Sequence, residues 1–208
     1  MYSIRSNLLL GFHGCDKSVR DTILNNPKET LLPSKNSYDW LANGIYFWEN
    51  NPKRALEYAT YLHQNPLKNR KKIQQPAVLG AILTLGHCLD LLDSEQLEIL
   101  KSGYQTLKEI SDVSFLNELK NKPIGTESEL LIRNLDCAVI EIVCDVQVKQ
   151  KRRIRQYDSV RGVFMEGKEL YPNAGFREKN HIQICVRNPN CVKGYFLPRL
   201  SNDEYIVP

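Results

Sequence analysis

The apolar residues of this chain come in short runs, and glycine or proline closes each one: NLLLGFHG, GIYFWENNP, PAVLGAILTLG, HIQICVRNP and CVKGYFLP. Runs of that length, rich in β-branched and aromatic residues, suit buried strands; none approaches the roughly 20 residues of a membrane-spanning helix. Between them lie two stretches of a different period. Leu97, Leu100, Tyr104, Leu107 and Ile110 recur at helical spacing behind the capping-box pair Asp93 and Gln96. Leu131, Leu135, Ala138, Val139 and Ile142 do the same behind Thr126 and Glu129. Strands interleaved with capped helices, without an internal repeat, make one α+β domain over residues 1–208. A chain of 208 residues can bury a sizeable core in a single domain.

The local punctuation fixes the expected order. SNLLLGFHG reads as a strand ending near His13, after which Asp16 caps a short helix through Leu24, with Val19, Ile23 and Leu24 on one face. Leu31 and Leu32, among the breakers of NPKETLLPSKNSYDW, form a small edge strand. The Asn43-Gly44 turn leads into a strand from Ile45 to Trp48, and Pro52 opens a helix of roughly three turns. PLKNRKKIQQP, with Lys68, Arg70, Lys71 and Lys72, is a solvated loop. AVLGAILTLG is a buried strand between Pro76 and Gly86; HIQICV and CVKGYFLP are two strands around the Asn188-Pro189-Asn190 turn.

Composition narrows the function classes. With 42% hydrophobic and 25% charged residues the chain is globular, and a net charge of +4 permits contact with phosphates without demanding nucleic acid. The six cysteines include no C-x-x-C pair, so they read as buried thiols in a reducing compartment and not as metal ligands. The start MYSIRSNLLLGFHG lacks the pattern of a secretory signal. The expectation is a cytoplasmic protein without a metal or a membrane partner.

Three motifs in order resemble the catalytic domain of the ADP-ribosyltransferases, in the branch shared by the poly(ADP-ribose) polymerases and diphtheria toxin. They are His13-Gly14; Gly44-Ile45-Tyr46-Phe47 followed by Lys53-Arg54-Ala55-Leu56-Glu57-Tyr58; and Gln183-Ile184-Cys185-Val186 leading to Cys191-Val192-Lys193-Gly194-Tyr195. LGAILTLG resembles that family's central strand, and YDSVRGVF its glycine loop before a final hairpin. The stretch from about Asp93 to Lys149 has no matching motif. The resemblance implies a split, mainly antiparallel sheet flanked by helices, with NAD as co-substrate. His13 would bond a ribose hydroxyl of the adenosine half, the Gly14 backbone would meet the carboxamide, and Tyr46 and Tyr58 would clamp the nicotinamide ring. Read from the residues alone, the tyrosines are ordinary core and His13 is a capped strand-end histidine.

Three departures shape the implied chemistry. Tyr46 and Tyr58 stand one residue further apart than the family's usual spacing, and Ala55 occupies the place of a serine that bonds the carboxamide. Gln183 replaces the glutamate that holds the nicotinamide-ribose 2′-hydroxyl. An amide can still accept that bond through its carbonyl, but it has no charge to stabilise an oxocarbenium-like sugar. A single transfer per acceptor follows, to a protein or a nucleic acid. The alternatives are NAD hydrolysis, or a non-catalytic module that binds NAD or ADP-ribose. His181, two residues before Gln183 on the same strand face, is either a base for the acceptor or a surface histidine. Glu166, Glu169 and Glu178 are candidate substitutes for the missing carboxylate. Lys149, Lys151, Arg152, Arg153 and Arg155 form a basic run that suits a pyrophosphate, an RNA backbone or plain solvent. By analogy of architecture, a small transferase of this kind resembles bacterial toxins and antiphage effectors, with a neutralising antitoxin protein as partner.

Overall fold

A computed structural model describes residues 8–66, 71–123, 130–149, 155–199 and 204. Among these the chain forms a seven-stranded sheet and five α-helices. The first strand, β1 (Leu9–Asp16), runs into helix α1 (Lys17–Asn25). Asp16 makes that junction: its carboxylate accepts from Ser18 N at 2.9 Å and from Gln74 N and Gln75 N at 2.6 and 3.0 Å. The strand therefore continues past His13, because β3 (Pro76–Leu83) pairs with it along its whole length, from Leu9↔Leu83 to Asp16↔Pro76.

Strand β2 (Ile45–Glu49) passes to α2 (Pro52–Gln64), with Asn51 as N-cap and Pro52 in the first turn, where its missing N–H costs nothing. A short strand β4 (Cys88–Asp90) precedes α3 (Ser94–Ile110), α4 (Val113–Glu118) and α5 (Asn134–Lys149). Then come β5 (Ser159–Phe164), β6 (His181–Val186), a 3-10 turn over Pro189–Cys191, and β7 (Val192–Phe196).

The sheet order is β4-β5-β6-β2-β1-β3-β7, antiparallel throughout except for the β4–β5 pair. Its weak joint is central. β1 and β2 register only at Gly11↔Glu49 and Phe12↔Trp48. Beyond those pairs they diverge, and the His13 side chain takes the place of the ladder by bonding the Tyr46 carbonyl at 2.7 Å.

Side-chain alternation sorts the core onto the two faces of the sheet. One face carries Phe47, Leu79, Leu83, Ile184 and Val186 under Ile23 of α1. The other carries two separate clusters. Phe12, Trp48 and Ala55 pack with Tyr58 under α2, while Leu41, Val160, Phe164 and Cys185 pack under Ile140, Val143 and Cys144 of α5. Gly103 lets α3 lie close on α5, since a Cβ there would stand 2.3 Å from Val143 Cγ2.

Several expectations are corrected. Leu31 and Leu32 form no strand: Leu31 is buried in the α1-side core and Leu32 is 88% exposed. HIQICV and CVKGYFLP are both strands but not partners, because β6 pairs β5 and β2 while β7 pairs β3 at the far edge. YDSVRGVF is mostly strand β5, its pairing with β6 overriding the glycine. Asp93 caps α3 through Glu95 N at 2.8 Å, but Gln96 accepts instead from the Tyr157 hydroxyl at 3.2 Å. Of that helix's apolar stripe, Leu107 is buried whereas Ile110 is 66% exposed. Thr126 and Glu129, and Lys68 and Arg70, lie outside the described residues.

Candidate functional site

The seam between the two clusters on the α2/α5 face is the candidate site. A row of residues crosses it in register: Phe12 stands opposite Trp48, Trp48 opposite Gln183, and Gln183 opposite Gly162. Gly162 has no side chain of its own, and Leu41 Cδ2 and the Phe164 ring fill the space a Cβ there would enter, at 3.0 and 3.5 Å. Two residues away on the same face of β6, His181 sits among aromatic rings, with centroids 5.8 Å from Phe164, 6.3 Å from Trp40 and 6.4 Å from Trp48. The Tyr58 ring, carried in by α2, meets Trp48 at 5.1 Å.

The hydrogen bonds fix the protonation of this group. His181 Nδ1 lies 2.6 Å from the Lys179 carbonyl and must donate to it, which leaves a lone pair on Nε2. Gln183 Nε2 lies 3.1 Å from that atom and donates to it. The imidazole is neutral: burial lowers its pKa and the nearby Arg54 lowers it further, against the opposing pull of the Lys179 carbonyl and of Glu166. His13 repeats the pattern, with Nδ1 donating to the Tyr46 carbonyl, burial lowering its pKa, and Nε2 left as an acceptor.

Unpaired donors gather here. The buried side-chain N–H groups without a partner among the described residues are those of Trp48 Nε1, Arg54 Nε and Arg133 Nε. Trp48 lies in the row itself. Arg54 starts α2 and bonds Glu166 at 2.6 Å, and the Arg133 guanidinium lies over the rings of Trp40 and Phe164 at 4.7 and 4.9 Å. A buried donor left unpaired costs roughly 1–3 kcal/mol, and all three of these are enclosed by the packing around the seam.

The residues expected from sequence divide as follows. His181 and Gln183 are bonded to each other, and Tyr58 meets the Trp48 ring beside them, with Ala55 buried in the same cluster as Trp48. Tyr46 packs with the α5-side cluster, its hydroxyl donating to the Ala42 carbonyl at 2.7 Å and accepting from Leu41 N at 2.8 Å. Burial pushes that hydroxyl's pKa well up. The ring that Tyr58 meets is thus Trp48. Gly14 is approached closely, but by α2: a Cβ there would stand 2.1 Å from the Ala55 carbonyl oxygen. His13 lies on the α1 side, edge-on to Phe47 at 6.1 Å, and touches β2 at the Tyr46 carbonyl where β1 and β2 part.

Among the loop glutamates, Glu166 is ion-paired with Arg54 and stands 3.9 Å from Lys179 Nζ. Glu169 accepts from Asn173 N at 3.1 Å and Glu178 from Lys168 N at 3.4 Å, both local turn bonds. Of the basic run, Arg155 pairs with Asp158 at 2.9 Å; Lys151, Arg152 and Arg153 and the Lys149 side chain lie outside the described residues. Trp48 was within reach of sequence reasoning, two residues beyond Tyr46 on the same strand face. Arg133, Trp40 and Phe164 gave no local signal, since long-range packing alone joins them.

No family model matches the chain, and no solved structure matches it. It is similar to the uncharacterized protein MJ0359 of Methanocaldococcus jannaschii, 22% identical over 203 residues that span 88% of this chain and 83% of that protein. Among the described residues, no group of three or more His, Cys, Asp or Glu side chains is placed to hold a metal ion, and no helix is long and apolar enough to cross a membrane.

Proposed function

We propose that the chain is an NAD-dependent ADP-ribosyltransferase that makes one transfer per acceptor, with the nicotinamide half of NAD on the Gln183 seam. The observation that carries this reading is the gathering of unpaired buried donors and aromatic rings around an uncharged acceptor. NAD offers a flat ring for Tyr58 and Trp48, and carboxamide and phosphate oxygens that the buried N–H groups of Trp48, Arg54 and Arg133 meet once the side chains around them shift to admit it. Gln183 Oε1, on the far side of its amide from His181, accepts from the 2′-hydroxyl of the nicotinamide ribose. His13, on the α1 side of the sheet, offers Nε2 to the adenosine ribose through the gap where β1 and β2 diverge.

The reaction breaks the bond between ribose C1′ and the nicotinamide nitrogen, whose electron pair leaves with nicotinamide. An acceptor nucleophile then bonds C1′ and passes its proton to solvent water. With no carboxylate at 183, stabilisation of the sugar cation is weaker by about 10²–10³ in rate than a charged residue supplies. His181 has both nitrogens engaged and is not needed as the base for the acceptor.

The test uses labelled NAD with purified protein and cell extract. Label passes to protein or nucleic acid and is lost in Tyr58→Ala, Gln183→Ala and His13→Ala. Free ADP-ribose forming without any macromolecule assigns hydrolysis instead, and binding without nicotinamide release assigns a binding module. Absence of both binding and turnover, with folded protein, overturns the reading. As a transferase of this kind, the chain is toxic on expression in bacteria, the same substitutions relieve the toxicity, and a neutralising protein is its partner.

A further inference from the structure

Gln183 does not hold its amide freely. The chain Lys179 C=O, His181 Nδ1–H, His181 Nε2 and Gln183 Nε2–H runs in one direction, each donor facing the next acceptor, at 2.6 and 3.1 Å. His181 is 6% exposed and wedged among three aromatic rings, so the imidazole cannot turn over to present its N–H to Gln183 without breaking its bond to Lys179. The carboxamide is thereby fixed with its nitrogen toward His181 and its oxygen away from it.

We propose that His181 is a positioning residue that locks the Gln183 carboxamide with its oxygen toward the ligand, so that the site is built around a glutamine and not around a lost glutamate. The proposal deepens the NAD reading and rests on it for the identity of the ligand. A glutamate at 183 would set a carboxylate oxygen against the lone pair of His181 Nε2. The clash is relieved only when His181 takes up a proton and donates from both nitrogens. The other charged groups acting on that imidazole are Arg54, which opposes a second cation, and Glu166, which favours it and is itself paired with Arg54 and near Lys179. A glutamine needs no such proton.

The experiment has two arms. Nitrogen-15 NMR of the histidine side chains on the whole chain without ligand, the four histidines being assigned by single replacements, reads the lock directly. His181 is neutral and Nδ1-protonated in the wild type near neutral pH, and Gln183→Glu converts it to the doubly protonated form. An Nε2-protonated or charged His181 in the wild type overturns the proposal, as does a His181 that ignores Gln183→Glu.

The second arm measures nicotinamide release. His181→Leu lowers kcat by roughly two- to tenfold, the size of one neutral hydrogen bond, with KM little changed. His181→Gln, whose carbonyl still accepts from Gln183, recovers most of that loss. Equal losses in the two variants overturn the proposal. If NAD is neither bound nor turned over, the NAD reading fails by itself, and the NMR arm still decides the lock.

Discussion

Replacing Gly14 by alanine tests how closely β1 packs against α2. A Cβ at this position would lie 2.1 Å from the Ala55 carbonyl oxygen, 3.0 Å from its carbon and 3.2 Å from Ala59 Cβ. The first distance is roughly 1 Å short of ordinary contact, and the obstacle is helix backbone, not the end of a flexible side chain. β1 cannot yield either, being paired with β3 on both sides of the position. Helix α2 has to lift, which costs about 2–3 kcal/mol, in the range of overpacked cores. For a chain of 208 residues that lowers Tm by roughly 4–12 °C. Scanning calorimetry measures it, with Gly175→Ala and Gly194→Ala as controls, since a Cβ meets nothing within 4 Å at either. The controls stay within about 0.5 kcal/mol of wild type. A Gly14→Ala protein that melts with the wild type would refute this packing.

Other perturbations follow from the same contacts. Asp16→Asn loses about 1–2 kcal/mol at pH 7, measured by urea denaturation, because the carboxylate caps α1 and holds Gln74 N and Gln75 N. Those hydrogen bonds, led by that from Ser18, hold the Asp16 pKa far below the usual carboxylate range, so its contribution is complete above about pH 4. That contribution fades as pH falls through the lower folded value, and the gap between wild type and Asp16→Asn narrows in acid. Arg161→Met costs about 3 kcal/mol, since Arg161 bonds Glu49 at 2.6 and 3.0 Å and Asp90 at 3.2 Å and leaves both uncompensated. Arg161→Met with Glu49→Gln recovers part of that loss, read as a double-mutant cycle. Burial pushes the thiols of Cys15, Cys137 and Cys144 up to about 11 and that of Cys88 to about 12, so a thiol reagent at pH 8 labels them far more slowly in the native protein than in urea.

Local order was legible in the sequence where local chemistry decides it. The Asp16 cap, Pro52, and the β-branched and aromatic run from Ile45 placed their elements correctly because each acts within a few residues. Pairing was not legible. Nothing in HIQICV or CVKGYFLP tells that one strand lies inside the sheet and the other at its edge, since both are equally apolar. The site divided in the same way. Gln183, His181 and Tyr58 were singled out from short motifs; the structure bonds Gln183 to His181 and sets Tyr58 against Trp48, whose ring lies 6.4 Å from His181. The Tyr58 ring meets Trp48 and not Tyr46, whose hydroxyl is held by the backbone of Leu41 and Ala42, a contact invisible to motif reading. The stacking of Arg133 on Trp40 and Phe164 joins three distant segments and left no trace in any of them.

A structure of the protein with NAD, or with a non-cleavable analogue where the dinucleotide is consumed, tests the account at its centre. The nicotinamide ring lies against Tyr58 and Trp48, its ribose hydroxyl bonds Gln183 Oε1, and Trp48 Nε1 and Arg54 Nε gain acceptors. A dinucleotide bound elsewhere, or on this face with those two N–H groups still unpaired, contradicts it.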